Sequence, residues 1–461
     1  MSITDRTRSD LTPGPAAPAP RAAPSPAASP GRPAAGSLAD LLRPLLTTLL
    51  GPSPGVRVEL WDGSAIGPTD GPGTIHVRSV DALRRLFWAP GELGLGRAYV
   101  AGDLDVEGDI LAMLAVLRDT PARDPDLKTA ARTLTHVLRA AKELDAIGKP
   151  PPPPPEEAKP RGWRHSKHRD AQAISHHYDV GNDFYDIVLG PAMTYSCARF
   201  ARPDMSLEEA QASKHELICR KLGLHERPGM RLLDVGCGWG SLAMHAATHH
   251  GAEVVGITIS KEQVARARER VTRAGLGGKV EIRLQDYRDV RGERFDAISS
   301  VGMFEHVGKE RTAEYFGVLR DLLDDGGRLL NHAISSVRGS RLKKTSFAYR
   351  YVFPDGELLD VADTCAAMEA AGFEVRDVES LREHYAETLR HWVRNLEAQW
   401  DEAVRLVGEG RARVWRLYMA ASALGFEDGG LGLHQVLGVV PGADGSSGMP
   451  RTRDAWATGD A

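Results

Sequence analysis

A glycine-rich turn, LLDVGCGWG at residues 232–240, stands between an apolar segment and a helical one. Glycines permit a tight turn and a close ligand approach, and the G-x-G-x-G spacing differs from the dinucleotide pattern G-x-G-x-x-G. Asp234 precedes the first glycine by two residues, where a carboxylate can meet a ligand ammonium but would repel a pyrophosphate. The next apolar segment ends in GITIS, without the acidic residue that binds a nicotinamide ribose. The turn therefore predicts a zwitterionic cofactor, S-adenosyl-L-methionine. The alternative interpretation is a strand-to-helix turn with a purely structural role.

Cysteine is the second residue type that could do chemistry. The four cysteines, Cys197, Cys219, Cys237 and Cys365, are scattered, with no CxxC pair and no histidine-rich tract. This pattern favours neither a disulfide framework nor a structural zinc site, so we predict no metal and a reducing compartment. No neighbouring feature would lower the pKa of the Cys197 thiol, and a thiolate would be alkylated by a sulfonium cofactor. Covalent catalysis through Cys197 is therefore rejected.

Alternating strand and helix patterns would position these residues. Five strands are predicted from the apolar runs RLLDVGCG, EVVGITIS, KVEIRLQD, FDAISSVGM and GRLLNHAIS. Helices are predicted from KEQVARARERVTRAG, from TAEYFGVLRDLLDDGG and from the long stretch 385–423. This alternation predicts an α/β fold with a mainly parallel, doubly wound, Rossmann-like sheet, in which ligands bind at the carboxyl ends of the strands.

Composition divides the chain into five parts. Residues 1–36, rich in Ala, Pro, Ser and Gly, predict a disordered tail, and residues 37–148 predict a smaller, mostly helical N-terminal domain with one strand, VRVELWDG. Its GELGLGRAYVAGDLDVEGD segment is interpreted as a loop. Residues 149–164 contain six consecutive prolines and predict a stiff spacer. Residues 165–441 form the predicted catalytic domain, and 442–461 a second disordered tail.

Net charge and hydropathy limit the classes of binding partner that we expect for this protein. The 461 residues include 58 Lys and Arg against 62 Asp and Glu, a net charge of −4, which predicts no nucleic-acid partner. The polar start, MSITDRTRSD, is unlike a signal peptide, and no window approaches the roughly 18 apolar residues of a bilayer span. We therefore predict a cytoplasmic protein that is soluble or lies on a membrane surface.

Several longer segments carry a more specific pattern, from about residue 176 to residue 440. They are YDVGNDFYDIVLGPAMTYSCARF, LLDVGCGWGSLA, VVGITISKEQ, LQDYRDV, SVGMFEHVG, YVFPDG and LHQV. Together they closely resemble the cyclopropane-fatty-acyl-phospholipid synthase family, and GMFEHVG and TYSCA are more specific than the glycine turn. GLGRAYVAGDLDVEGD also resembles the N-terminal domain of the phospholipid-acting members.

The resemblance implies a class I methyltransferase fold and the formation of cyclopropane fatty acids. A methylene group passes from S-adenosyl-L-methionine to the cis double bond of a phospholipid acyl chain, through a carbocation that bound bicarbonate deprotonates. The implied bicarbonate cage, in which the cysteine and isoleucine act largely through their backbone, comprises Cys197, Glu305, His332, Ile334 and Tyr385. The implied cofactor pocket comprises Tyr195, Ser196, Asp234, Gly236, Gly238, Thr258, Gln263, Gln285 and Asp286.

The residue types suit that chemistry. Glu305 and His332 stand at or just after predicted strand ends, and with Tyr385 they can orient a small oxyanion. Because a carboxylate beside an anion is unfavourable unless it is protonated, we expect Glu305 to hold a hydrogen toward bicarbonate. A carbocation also needs a dry site lined by aromatic faces. The candidate rings, each of which alone is more simply a core residue, are Tyr178, Phe184, Tyr195, Phe304, Tyr349 and Phe353.

Two basic segments predict how the enzyme reaches a lipid. KPRGWRHSKHRD (159–170) places basic residues beside Trp163, and VRGSRLKK (337–344) adds four more. Basic residues gain roughly 1 kcal/mol each near anionic lipids, and Trp favours the interface. We expect peripheral association with the inner membrane face, although each segment alone is also typical of a solvated loop. The resemblance also suggests a homodimer.

Three alternatives stay open. A hydride shift before proton loss would give a methylene- or methyl-branched acyl chain, and sequence separates this outcome poorly from ring closure. Methylation of a small polar acceptor fits the cage motifs and the N-terminal domain less well. A non-catalytic lipid-binding protein with a relic fold is opposed by the presence of Glu305, His332 and Tyr385.

Overall fold

The computed structural model describes residues 36–51, 54–119, 140–158, 180–337 and 342–456. The predicted N-terminal tail, residues 120–139 of the predicted N-terminal domain and the basic segment at 159–170 lie largely or wholly outside these residues. Tyr178 and two arginines of the second basic segment, Arg338 and Arg341, lie outside them as well.

The N-terminal domain combines helices with a four-stranded sheet. In chain order its elements are α1 (Leu38–Leu50), β1 (Arg57–Leu60), β2 (Ala65–Ile66), β3 (Gly73–Val77), α2 (Val80–Trp88), α3 (Glu92–Val100), β4 (Leu104–Gly108) and α4 (Ile110–Asp119). The sheet order is β2-β1-β3-β4, with β1 parallel to β3 and the outer pairs antiparallel. More of the domain is helical than extended, but it holds four strands where the sequence pattern indicated one.

Two glycines explain why α3 was mistaken for a loop. Glycine is a poor helix former, which lowers the helical signal of this segment. A Cβ at Gly94 would lie 2.2 Å from the Ala89 carbonyl oxygen, and a Cβ at Gly96 would lie 2.3 Å from the Phe347 ring. Close packing therefore requires both glycines, Gly94 against the end of α2 and Gly96 against the catalytic domain, and packing overrides propensity here.

The catalytic domain is built on a larger sheet. In chain order its elements are α5 (Asn182–Leu189), α6 (Leu207–Lys221), β5 (Arg231–Val235), α7 (Ser241–His250), β6 (Glu253–Thr258), α8 (Lys261–Arg273), β7 (Val280–Leu284), β8 (Phe295–Val301), α9 (Thr312–Asp321), β9 (Leu323–Ser336), α10 (Phe347–Tyr351), β10 (Leu359–Asp360), α11 (Val361–Ala370), β11 (Glu374–Ser380), α12 (Arg382–Ala398), α13 (Trp400–Val407), α14 (Glu409–Glu427) and β12 (Leu431–Val439). The strand order is β11-β12-β9-β8-β5-β6-β7, and β10 pairs with the end of β9. Strands β5 to β9 run parallel, whereas β12 is antiparallel to both of its neighbours.

The predicted doubly wound α/β fold is confirmed, and the five predicted strands are β5 to β9. The antiparallel edge, β11 and β12, was not predicted. The expected long helical stretch is divided into α12, α13 and α14, because Gln399 and Gly408 interrupt it and Gly408 has a φ of +80°.

The two domains share a hydrophobic core. Buried Tyr99 and Ile110 of the N-terminal domain belong to the same apolar cluster as Phe347, Trp392 and Trp415 of the catalytic domain. Two further clusters fill the two faces of the large sheet. The N-terminal domain therefore packs against the helices of the catalytic domain that carry Trp392 and Trp415.

The proline-rich segment is docked on both domains. Glu157, only 4% exposed, accepts two hydrogen bonds from Arg97 of α3, both 2.8 Å long. The same carboxylate pairs with Arg350 of α10 at 2.6 Å. Pro152 also accepts a hydrogen bond from Arg85 through its carbonyl oxygen. The segment joins the domains through ion pairs to one buried carboxylate, which a simple spacer would lack.

The second expected tail is ordered over residues 442–456. Trp456, at the end of a short 3₁₀ helix, is buried in the apolar cluster on one sheet face. Arg453 pairs with Asp377 of β11 at 2.5 Å, and Arg328 donates to the Gly448 carbonyl at 2.9 Å. The prediction of disorder from residue 442 is wrong over this range, because one buried tryptophan, one ion pair and one hydrogen bond to the backbone anchor a segment of low apolar content.

Candidate active site

Two adjoining pockets lie at the carboxyl ends of the parallel strands. The first lies between the β5–α7 turn, the ends of β6 and β7 and the segment before α6. All nine predicted cofactor residues line it: Tyr195, Ser196, Asp234, Gly236, Gly238, Thr258, Gln263, Gln285 and Asp286. Lys214 and His215 of α6 also line it, and the sequence reasoning missed both. Their segment matched none of the motifs on which the prediction relied.

The glycine-rich turn adopts a left-handed backbone conformation and hydrogen-bonds to the neighbouring strand β6. Gly236, Gly238 and Gly240 all have positive φ, of 76°, 54° and 80°. The backbone N–H groups of Gly236 and Cys237 donate to the Ile257 carbonyl of β6 at 2.9 and 3.0 Å. A Cβ at Gly236 would lie 3.1 Å from the Met303 side chain. The turn therefore needs glycine both for its left-handed conformation and for the space beside it.

Asp234 provides a buried carboxylate in the first pocket. It is 2% exposed and accepts a hydrogen bond of 2.8 Å from the Ser299 hydroxyl. Burial raises its pKa to about 6, against the opposing effects of Ser299 and of Lys214. The Lys214 ammonium donates to the Ser196 hydroxyl at 2.8 Å, and burial lowers its own pKa to about 7. A bound ammonium would stabilise the ionised form of Asp234, as the sequence reasoning expected.

The other end of the first pocket is polar, and its side chains hydrogen-bond to one another or to nearby residues. Thr258 donates to the Gln263 side-chain oxygen at 2.7 Å. The Asp286 carboxylate caps the backbone N–H of Arg288 at 2.9 Å and pairs with its guanidinium at 2.7 Å. These bonds orient the groups that a ligand would meet.

The second pocket brings together all five residues of the predicted cage, Cys197, Glu305, His332, Ile334 and Tyr385. The rest of its wall is mostly apolar and includes Leu342, Ala348, Phe353, Leu358, Phe426, Leu431 and Leu433. The pocket thus combines a small polar patch with a surface suited to a hydrocarbon chain.

Glu305 projects from the 3₁₀ helix Phe304–His306 that follows β8. Its Oε1 accepts the Ile334 backbone N–H at 2.7 Å, whereas its Oε2 is buried without a hydrogen-bond partner among the described residues. Burial raises the pKa of Glu305 to about 7, against the opposing effect of the Ile334 bond. This carboxyl therefore carries a proton for much of the time at neutral pH. The bond also occupies the Ile334 N–H that was expected to face bicarbonate, so Ile334 acts here by holding Glu305.

His332 of β9 offers a second unsatisfied polar atom. Within the part of the chain that the structure describes, its Nε2 is buried without a hydrogen-bond partner, and its Nδ1 lies 3.3 Å from the side-chain nitrogen of Gln435. Burial, with the charges of Lys214 and Lys221, lowers the pKa of His332 and keeps the imidazole neutral. Because the Gln435 N–H faces Nδ1, the ring proton belongs on Nε2, where it can be donated into the pocket. Gln435 was missed as a site residue, although it lies in the LHQV motif.

Cys197 and Tyr385 complete the patch. The Cys197 thiol donates to the Ala198 and Leu381 carbonyls at 3.1 and 3.6 Å. Burial raises the pKa of this thiol, which supports the rejection of covalent catalysis. The Tyr385 ring is buried and packs 4.7 Å from the Phe426 ring, centroid to centroid.

Two of the predicted rings, Tyr195 and Phe353, line the pockets. Phe184, Phe304 and Tyr349 are buried and absent from the pocket walls, as the simpler interpretation of each as a core residue holds, so they are not candidates for stabilising a carbocation. The second pocket instead uses Tyr418 and Phe426 of α14, which the sequence reasoning missed. The Tyr418 hydroxyl hydrogen-bonds Tyr195 and Ser422, and burial raises its pKa. Tyr418 lies within the predicted helical stretch 385–423, and Phe426 lies three residues beyond its end.

The two pockets meet at Tyr195, Ser196, Gly302 and His306, which line both. A polar donor in the first pocket and an apolar acceptor in the second would therefore touch at this junction. The arrangement suits transfer of a small group between them, with water excluded by the surrounding aromatic and aliphatic side chains.

The surface expected to meet lipid is described only in part. Lys343 and Lys344 of the second basic segment are exposed. Within the described part of the chain, no helix combines the length and the apolar content needed to cross a bilayer.

Comparison with known proteins agrees with this geometry. Residues 165–436 match the family model of mycolic acid cyclopropane synthetase. The chain is 43% identical over 429 residues to a probable fatty acid methyltransferase of Mycobacterium tuberculosis, an alignment that covers 90% of this chain and 97% of that protein. It is 35% identical over 371 residues to the cyclopropane-fatty-acyl-phospholipid synthase of Escherichia coli K12, covering 79% and 87%. The solved structure of mycolic acid cyclopropane synthase CmaA1 with SAH and CTAB is 35% identical, with a TM-score of 0.55, and covers 58% of this chain and 98% of that one.

Proposed function

Because the chain belongs to the mycolic acid cyclopropane synthetase family of methyltransferases, we propose that it transfers a methylene group from S-adenosyl-L-methionine to the cis double bond of an unsaturated phospholipid acyl chain. The observation that carries this proposal is the junction between the two pockets. A buried carboxylate, Asp234, lies on the polar side, and two polar atoms that have no partner among the described residues, Glu305 Oε2 and His332 Nε2, lie on the apolar side. Donor and acceptor would meet across Tyr195 and Gly302.

The first pocket fits S-adenosyl-L-methionine, whose sulfonium methyl supplies the transferred carbon. Asp234 would bind the ammonium of the methionine moiety, since the Ser299 hydroxyl already fixes one carboxylate oxygen. The open glycine turn leaves room for a ligand beside the backbone. The structure of the CmaA1 relative with SAH, the demethylated form of this donor, supports the assignment.

The second pocket fits a small oxyanion such as bicarbonate, which would supply a base for the proton lost on ring closure. Burial raises the pKa of the Glu305 carboxyl to about 7, so this group can hold a proton and donate it to an oxyanion. His332 Nε2–H is a second donor, held in that tautomer by Gln435. Cys197 and Ile334 close the patch, and the apolar wall would hold the acyl chain and keep water away from a cationic centre.

The direct test is conversion of a defined lipid. Full-length protein is incubated with S-adenosyl-L-methionine, bicarbonate and vesicles of dioleoyl phosphatidylglycerol, and the fatty acids are analysed by gas chromatography–mass spectrometry. We expect oleoyl chains to become one methylene heavier, with a ring assigned by fragmentation. Glu305→Ala should abolish the conversion, whereas Glu310→Ala, which alters an exposed glutamate nearby, should not. Donor turnover without a change in acyl mass would instead indicate a small polar acceptor, and failure to bind the donor in calorimetry would indicate a relic fold.

Formation of a methyl- or methylene-branched chain is the second candidate. The M. tuberculosis relative at 43% identity is named a probable fatty acid methyltransferase, a name that does not specify a ring. The same conversion assay separates the two products, because a branched product with a fragmentation pattern unlike a ring would replace the cyclopropane proposal.

We also propose that the protein docks peripherally on the anionic inner membrane face, as a homodimer. Replacing the basic residues of both segments, 159–170 and 337–344, by glutamine should weaken binding to phosphatidylglycerol vesicles, and added salt should weaken wild-type binding in the same way. Binding that is unchanged by the substitutions would contradict the docking proposal. Sedimentation equilibrium of the full chain tests the homodimer, and a monomer at micromolar concentration would contradict it.

A further inference from the structure

A cluster of potential metal ligands lies between α6 and α7, outside both pockets. Glu216 and Cys219 stand one turn apart on α6, and His245 and His250 lie on α7. The Cys219 thiol and one nitrogen of each imidazole lie within 4.8 Å of one another. The Nε2 atoms of His245 and His250 lie 3.2 and 2.9 Å from the same oxygen, Glu216 Oε2. We name these four residues the α6–α7 cluster.

We propose that the α6–α7 cluster is a binding site for one divalent cation of the zinc type, with Cys219, His245 and His250 as ligands and Glu216 as the fourth. Thiolate and imidazole together favour zinc and similar borderline ions over magnesium or calcium. Metal–sulfur distances of about 2.3 Å and metal–nitrogen distances of about 2.0 Å place neighbouring ligands roughly 3.5 Å apart. The distances from Glu216 Oε2 to the two imidazole Nε2 atoms, 2.9 and 3.2 Å, are already close to this spacing. The ligand atoms of Cys219, His245 and His250 lie within 4.8 Å of one another, and small side-chain rotations bring them to it.

The charges of this site balance. On binding, the Cys219 thiol loses its proton to solvent, and the imidazole protons reside on Nδ1 so that Nε2 can bind the ion. Thiolate and Glu216 carboxylate then carry two negative charges against the two positive charges of the cation. Arg220 donates to the other carboxylate oxygen, Glu216 Oε1, at 2.7 Å and holds it in orientation, as outer-shell partners of metal ligands do.

The position of the α6–α7 cluster allows a cation to enter from solvent and allows the bound cation to affect the first pocket. Cys219 is fully buried, but the side chains of His245 and His250 are 12% and 7% exposed and open a path for an ion. The ring of His215, which lines the first pocket, packs 5.6 Å from the ring of His245. Helix α7 also begins directly after the glycine turn. A bound cation would therefore tie together two helices that wall the pocket.

The test uses full-length protein that is stripped with a chelator, kept reduced and titrated with Co²⁺ alone. We expect one Co²⁺ per chain, with a thiolate-to-cobalt band in the near ultraviolet and the intense visible bands of a tetrahedral ion. Cys219→Ser should remove the near-ultraviolet band, and His250→Ala should weaken binding by about tenfold or more. Cys365→Ser and His249→Ala are matched controls, since His249 is exposed and adjoins His245 without belonging to the cluster. Both controls should retain the spectrum.

A second measurement does not depend on how the variants fold. Addition of Zn²⁺ alone to stripped wild-type protein should raise its melting temperature by several degrees, because a cation that binds only the native state stabilises it. The proposal is overturned if wild-type protein binds no Co²⁺ and Zn²⁺ does not raise its melting temperature. It is equally overturned if the near-ultraviolet band persists in Cys219→Ser.

Discussion

Burial of Glu305 makes the stability of the protein depend on pH in a way that one substitution should remove. The side chain is 8% exposed, and burial raises its pKa from 4.5 to about 7. In the unfolded chain the same carboxyl ionises near the lower value. Between the two values the unfolded state gives up a proton that the folded state retains, so stability falls as the pH rises from about 4.5 to about 7 and is level above that.

Glu305→Gln should abolish this loss while preserving the local structure. The glutamine Oε1 can still accept the Ile334 N–H that now bonds Glu305 at 2.7 Å, and the side chain has no charge to bury. A tenfold change in proton affinity is worth about 1.4 kcal/mol, so the full effect is on the order of 3 kcal/mol at pH values above the raised pKa. The variant should therefore gain about that much stability relative to wild type between mildly acidic and mildly alkaline pH.

The assay is urea unfolding of both proteins in bicarbonate-free buffers from about pH 5 to about pH 9. The free energy of unfolding of the variant minus that of wild type should rise through this range and level off near pH 8. Glu310→Gln, a change of an exposed glutamate in the neighbouring 3₁₀ helix Lys309–Arg311, is the matched control and should show no such rise. A difference between Glu305→Gln and wild type that does not change with pH would refute the argument that the buried carboxyl is protonated.

Three further perturbations test separate parts of the structure. Asp234→Asn should weaken binding of S-adenosyl-L-methionine by about tenfold or more in calorimetry, because a charge-assisted bond to the ammonium is lost; unchanged affinity would remove Asp234 from the donor site. Gln435→Leu should lower kcat by about 10- to 100-fold through loss of the His332 tautomer, with donor affinity retained; loss of kcat and affinity together would indicate misfolding instead. Glu157→Gln should destabilise the protein by roughly 3 kcal/mol in urea unfolding, since it leaves two arginines of different domains without their carboxylate. Glu156→Gln, a change in the neighbouring residue, is its control, and equal effects of the two would contradict a specific role for the buried pair.

Much of the candidate site could be predicted because parallel strands present their carboxyl ends at one edge. Asp234, Glu305 and His332 come from three different strands or their ends, and they converge as strand order requires. The motif resemblance added the other pocket residues, all of which line the walls expected of them.

The aromatic lining was predicted less well because nearness to a motif in sequence does not decide which way a ring faces. Phe304 adjoins Glu305 but packs into the core beneath the sheet, 5.1 Å from Phe316 between ring centroids. Tyr418 and Phe426 reach the pocket from α14, more than a hundred residues beyond Glu305. Only the packing of α14 across the sheet edge brings them there.

The sequence by itself determined the class of fold, the glycine-rich turn and the five residues that meet in the second pocket, because these depend on local backbone demands and on short motifs. A left-handed glycine or a strand end is specified by a few neighbouring residues. Only the tertiary structure decided which residues from distant parts of the chain lie next to these site residues. The antiparallel register of β12 on β9 places Gln435 opposite His332, and the packing of α6 on α7 gathers Cys219 with His245 and His250 although their spacing indicated no metal site. Contacts of this kind depend on how whole elements pack, which no local pattern encodes.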